Sequence, residues 1–186
     1  MKTKQWLLLA VIWAAGASSA AFAQEQLSGD TKLACEAIMC LSSGQRPDQC
    51  TPSIQRFFSI SFRRLTDTMQ GRINFLNQCP KGGDANMNTL VQGIAYGAGS
   101  CDAGTLNRTL RTFDSDGGDL GIDNTMPAYC MAYYTHPYTR LADVAPIYAG
   151  DRWVPPSEYQ AAMAEYTARM QATVLAAAAA STGMSE

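Results

Sequence analysis

The sequence predicts a mainly α fold: a small disulfide-stapled helical domain of several short helices with ordered loops and a C-terminal helix. Three observations predict it. Cysteines 35, 40, 50, 79, 101 and 130 follow an N-terminus of the kind that directs export, and an even number of cysteines in an exported chain reads as a disulfide framework. Apolar residues recur at steps of three and four before residue 80 and again after 155. Over 102–150, Gly, Asp, Pro and Tyr are frequent, a composition that suits short helices joined by ordered loops.

Lys2 and Lys4 form a basic n-region, and Trp6 to Ala15 is an apolar stretch too short to span a bilayer comfortably. Ala21-Phe22-Ala23 places small residues at both positions a signal peptidase requires, so cleavage is expected before Gln24. An uncleaved anchor is the competing reading; small residues stand where it would need a second hydrophobic turn. Residues 1–23 are therefore read as a cleavable signal, 24–155 as the stapled helical domain, and 156–186 as a C-terminal helix with an Ala-rich tail. No later stretch is long and apolar enough to cross a membrane, so no transmembrane segment is expected after cleavage.

Removing Lys2 and Lys4 leaves 12 Lys and Arg against 16 Asp and Glu, a net charge of −4. A mildly acidic chain lacks the long-range field that draws phosphates, so direct nucleic-acid binding is not expected.

Asp30 to Leu41 reads as the first helix, with Asp30 as N-cap and Gly44 in the stop region. Gln45 to Asp48 is a turn. Thr51 caps a second helix with Pro52 at its first position, and Ile54, Phe57 and Phe58 share a face. A third helix covers Phe62 to Gln78, with Leu65, Met69, Ile73 and Leu76 as its stripe; Pro80 and Gly82-Gly83 end it. A fourth, glycine-punctuated helix covers Asn88 to Tyr96. Ser157-x-x-Gln160 reads as a capping box that opens the last helix. Tyr159, Met163, Tyr166, Met170 and Val174 form one apolar stripe along it, and Ser181 to Glu186 are expected to fray.

A zinc site is disfavoured for the cysteines, because the chain has no Cys-x-x-Cys pair and His136 is its one histidine. Cys35 and Cys40 are five apart on one helix, which separates them by about 7.5 Å along the axis and roughly 140° around it, beyond the reach of a bridge. Cys50 and Cys79 are their available neighbours in sequence. The favoured set is Cys40–Cys50, Cys35–Cys79 and Cys101–Cys130, out of the roughly 15 connectivities that six cysteines allow.

The run Cys35-Glu36-Ala37-Ile38-Met39-Cys40 through Asp48-Gln49-Cys50, with Pro52-Ser53-Ile54-Gln55-Arg56-Phe57-Phe58 and Arg72-x-x-Phe75-Leu76-Asn77-Gln78-Cys79-Pro80, resembles the opening of the TrbM/KikA family. The block is roughly a quarter of the chain. The resemblance implies a periplasmic protein encoded beside the mating-pair formation genes of a type IV secretion system, with a role in plasmid transfer. Its implied partners are proteins of the conjugative transfer apparatus. It implies no catalytic residue and no cofactor, and the reading that follows is of a non-enzymatic accessory protein working through protein contacts.

Two other classes compete with it. A cell-wall-acting enzyme would use Glu36 as general acid, but such an enzyme needs a companion carboxylate or a substrate-gripping motif, and none is found; Glu36 reads more simply as a helix-surface charge. The third class is a secreted binding or inhibitor module with no part in transfer. Asp114-Ser115-Asp116-Gly117-Gly118-Asp119 with Asp123 has the oxygen-rich look of a calcium loop but lacks the EF-hand spacing, so it reads first as a turn. No metal ligand set is assigned. Tyr133, Tyr134, Tyr138 and Trp153 suit either a partner surface or the core. Tyr159, Met163, Tyr166 and Met170 suit packing on their own domain by default, or else a partner's groove.

Overall fold

The computed structural model describes residues 27–182; the export signal expected over 1–23 and the tail after 182 lie outside the described residues. Helix α1 spans Gly29–Leu41 and buries Ala34, Ala37, Ile38 and Leu41. Its N-cap is Ser28 and not Asp30, because the Asp30 carboxylate is held elsewhere: Arg56 of α2 (Thr51–Ser59) donates to it through Nε at 3.1 Å and Nη2 at 2.7 Å. The 44–50 segment closes with a 3-10 turn at Asp48–Cys50, which makes Cys50 the N-cap of α2 and places Thr51 inside the helix, with Pro52 in the tolerated first turn.

Helix α3 runs Leu65–Leu76, three residues shorter at its start than the periodicity of Phe62 suggests. The Thr68 hydroxyl accepts from the Phe62 backbone N–H at 2.8 Å, which folds the connector back over α3 instead of extending the helix through it. Helix α4 covers Ala85–Gly97, and Asp84 caps it by accepting from Asn86 N–H. Its glycines have a packing reason. A Cβ on Gly97 would lie 2.4 Å from the Tyr133 ring, so α6 (Ala128–Tyr134) approaches α4 closely only because that face is bare.

The 102–150 region departs from the expectation of helices and loops. It contains α5 (Ala103–Thr109) and α6, but also an antiparallel hairpin, β1 (Arg111–Phe113) with β2 (Asp119–Ile122), and the strand β3 (Ile147–Tyr148), which pairs antiparallel with β4 (Trp153–Val154) just beyond the region. Strands of two to four residues are too short to print an alternating pattern on a sequence. Pro156–Glu158 then forms a 3-10 turn without a side-chain cap, so the capping box at Ser157 is not used; α7 begins at Tyr159 and continues to Thr182, through the Ser181 expected to fray.

The three bridges are Cys35–Cys79, Cys40–Cys50 and Cys101–Cys130, the set favoured from sequence, and none of the described cysteines is free. They tie α1 to the end of α3, α1 to the start of α2, and the α4–α5 turn to α6. Between them lies one apolar core, to which Ile38, Leu41, Phe57, Leu76, Ile94 and Leu106 contribute.

The Asp30–Arg56 pair gives the fold an acid-side weakness. Arg56 holds the Asp30 carboxyl below its ordinary range, and Asp119 and Glu165 are shifted the same way, by the Gly121 N–H with Arg111 and by Arg152 respectively. A carboxyl whose pKa is lower folded than unfolded contributes stability above the unfolded value and loses it as pH falls through the folded one. Urea midpoints are therefore expected to decline below about pH 4, less steeply in Asp30→Asn; identical slopes in both proteins would contradict the role given to this pair.

Candidate functional site

The aromatic residues considered for a partner surface divide between core and exterior. Tyr133 and Tyr134 are buried on α6, and each hydroxyl donates to a distant carbonyl, to Leu41 O at 2.7 Å and Cys101 O at 3.0 Å. Burial pushes both phenols up, Tyr134 to about 12, so they stay protonated donors. Tyr133 thereby satisfies a carbonyl that the end of α1 leaves without a helical partner. Trp153 is 5% exposed, packs edge-on to Tyr148 and donates its indole N–H to Asp123 O. These three belong to the core cluster. Tyr138 stays exposed, and its hydroxyl donates to the Asp84 carboxylate at 3.1 Å.

The weighed polar candidates are likewise in structural roles. Glu36 pairs with Lys32 at 3.7 Å along α1, and its side chain is 30% exposed. His136 accepts from Tyr138 N–H at Nδ1, which leaves the proton on Nε2 for Thr89 Oγ1 at 2.9 Å. The Asp-rich loop is the β1–β2 turn. One Asp114 oxygen accepts from the N–H groups of Asp116 and Gly118, and Asp119 is held by Arg111 and Gly121 N–H. Among the described residues no three His, Cys, Asp or Glu side chains converge as a metal ligand set.

Exposed apolar side chains are spread over several elements, Phe62, Leu65 and Leu120 among them, and three of them, Met170, Val174 and Leu175, lie close together on α7. Its base is seated on the β3–β4 hairpin by a small cluster of Ala149, Val154 and Ala162, with Tyr159 and Met163 packed against it. Gly150, at φ +83°, lets the Tyr166 ring lie where a side chain would stand. Charges lock the seat: Arg152 donates to Glu165 at 2.6 Å, and Arg169 reaches both Glu165 and Asp151. The stripe then outruns the domain. Met170, Val174 and Leu175 are 47%, 63% and 71% exposed, and they line a shallow apolar groove with Thr167 and Gln171. The expected intramolecular packing therefore holds for Tyr159, Met163 and Tyr166 and ends before Met170. Leu175, one step off the stripe, escaped the sequence reading, although its place beside Val174 at the edge of the alanine run was the available signal. Among the described residues no helix is long and apolar enough to cross a membrane.

Fold and surface together define a small, cross-linked helical domain that carries a projecting helix with an open apolar face. The chain belongs to the TrbM family, whose model matches residues 26–167. Membership associates the protein with conjugal transfer. The match extends well beyond the Cys35–Pro80 block to take in Cys101 and Cys130, and it stops on α7 just before the exposed half of that helix. No curated protein and no solved structure matches the chain.

Proposed function

We propose that the protein is a periplasmic accessory component of a conjugative type IV secretion system that acts through protein contacts and without chemistry of its own. The observation that carries this reading is the distal face of α7, where Met170, Val174 and Leu175 remain uncovered side by side and line one apolar groove on a helix that outruns its seat on the domain. A helix that projects such a face matches the helix-in-groove mode of recognition. Export is supported by the Lys2–Ala23 signal pattern and by the closure of all six cysteines into bridges, which persist outside the cytoplasm. The non-enzymatic reading is supported by the placement of Glu36 in a solvent-facing ion pair.

Deleting the gene from its plasmid is expected to depress transfer from donor cells, with restoration by the intact gene in trans. Met170→Glu combined with Val174→Glu is expected to fail in restoration, lowering transfer at least about tenfold, while stability changes by no more than about 0.5 kcal/mol because both sites are exposed. Unchanged transfer in the deletion across several recipients would overturn the role; full rescue by the double variant would remove α7 from it. Purified protein is expected to release no soluble fragments from peptidoglycan, and release abolished by Glu36→Gln would establish the enzymatic alternative.

A further inference from the structure

The connector after α2 and the first half of α3 enclose a cleft of about 420 Å³, closed at its back by Phe58 and the Gly99–Ser100 turn. Its lining includes Arg63 and Arg72 and no acidic side chain; Asp67, in the first turn of α3, does not line it. The Arg72 guanidinium lies 4.8 Å from the centroid of the Phe57 ring and 5.2 Å from that of Phe58, and its Nε donates to Ile60 O at 3.3 Å. Two segments that carry the family resemblance, 52–58 and 72–80, thus meet at a single cation.

Arg56, Arg111, Arg152 and Arg169 each hold a carboxylate. Among the described residues Arg72 forms no ion pair, as is true also of Arg46, Arg63, Arg64, Arg108 and Arg140, but of these six it is Arg72 that lies over aromatic rings. Burial lowers its pKa from the ordinary arginine value, and no acid offsets the shift. Withdrawing a charge from water without a counter-charge is costly, and the two aromatic faces compensate only in part. Around it the lining is mixed, with Ser61, Thr68 and Ser100 beside the apolar Phe62 and Leu65, which are 57% and 71% exposed at the rim. An arginine fork whose terminal nitrogens remain available suits a carboxylate, and the rim suits an apolar neighbour of that carboxylate.

We propose that this cleft is a second contact site, which takes an acidic, apolar-flanked peptide segment of a partner protein, its carboxylate on Arg72 and its neighbouring side chain across Phe62 and Leu65. Arg63 adds a positive charge at the same opening. The inference rests on the reading of the chain as a contact protein and gives that reading a partner chemistry distinct from the apolar face of α7.

The test titrates the whole mature protein into a fluorescein-labelled short peptide of alternating leucine and glutamate, and into its counterpart with glutamine at every glutamate. The acidic peptide is expected to bind at least about tenfold more tightly than the neutral one, and more weakly as salt is raised. Arg72→Gln is expected to abolish that preference. Should Arg72→Gln fail to fold, Arg63→Gln and Phe62→Ser, both at exposed positions, are expected to weaken the acidic peptide severalfold with the fold intact. Absence of binding by the acidic peptide at millimolar concentration, equal binding of the two peptides, or indifference to these substitutions would overturn the proposal. Mating frequency does not enter this assay, so its failure leaves the proposed role standing, and loss of that role leaves the binding result standing.

Discussion

Replacing Cys35 and Cys79 together with alanine is expected to lower the unfolding free energy by about 4 kcal/mol. The bridge closes a separation of 44 residues, and the shorter Cys40–Cys50 loop nested inside it trims that figure only slightly. On the same chain-entropy scale Cys101–Cys130, with a separation of 29, contributes about 3.6 kcal/mol, and Cys40–Cys50, with a separation of 10, about 2.7 kcal/mol. Against a total stability of about 5–15 kcal/mol, loss of either long bridge leaves the fold marginal. The first loss also releases the end of α3 from the middle of α1, where Leu76 and Ile38 belong to one buried cluster. Urea unfolding of the three double variants checks the order. If the Cys40–Cys50 pair proved the most destabilising to remove, loop closure would not be what these bridges contribute.

Phe57→Ala is expected to cost about 3–5 kcal/mol. The side chain is fully buried at the centre of the core, with the Phe58 ring edge-on at 5.1 Å and the Arg72 guanidinium over its face. Truncation opens a cavity that rigid, cross-linked neighbours close poorly, and it strips one aromatic face from a cation that has no acid of its own. Phe62→Ala is the control. Phe62 is exposed on the connector, so the change is expected to stay within about 0.5 kcal/mol. Equal losses at Phe57 and Phe62 by chemical denaturation would contradict the placement of α2 in the core.

Local signals in the chain were legible and distant ones were not. The geometry of Cys35 and Cys40 on a single helix was enough to send each to a different partner, and the face of α2 and the base of α7 followed from step sizes alone, whereas the α3 stripe holds at Met69, Ile73 and Leu76 and misses at Leu65, which is 71% exposed. Caps were read less well. Asp30 and Thr51 have the chemistry of N-caps, but Asp30 is claimed by Arg56, 26 residues away, and Thr51 is drawn into the helix by the preceding 3-10 turn. Tyrosine and tryptophan posed the hardest case. An amphipathic ring suits core and surface equally, and the choice depends on whether a carbonyl awaits its polar end. For Tyr133 that carbonyl belongs to Leu41, 92 residues earlier, which no local pattern encodes. The same holds for Arg72, whose setting arises only when α2 and α3 fold against each other.

In the proposed role, bridges made after export clamp short helices into a rigid frame from which α7 projects. Mass spectrometry of non-reduced peptides, from protein alkylated at once on release from the periplasm of donor cells, tests this most directly. It is expected to yield Cys35–Cys79, Cys40–Cys50 and Cys101–Cys130 as the linked pairs, with no alkylated thiol. Recovery of the protein in the cytosol with its cysteines alkylated would contradict the framework and the periplasmic role together.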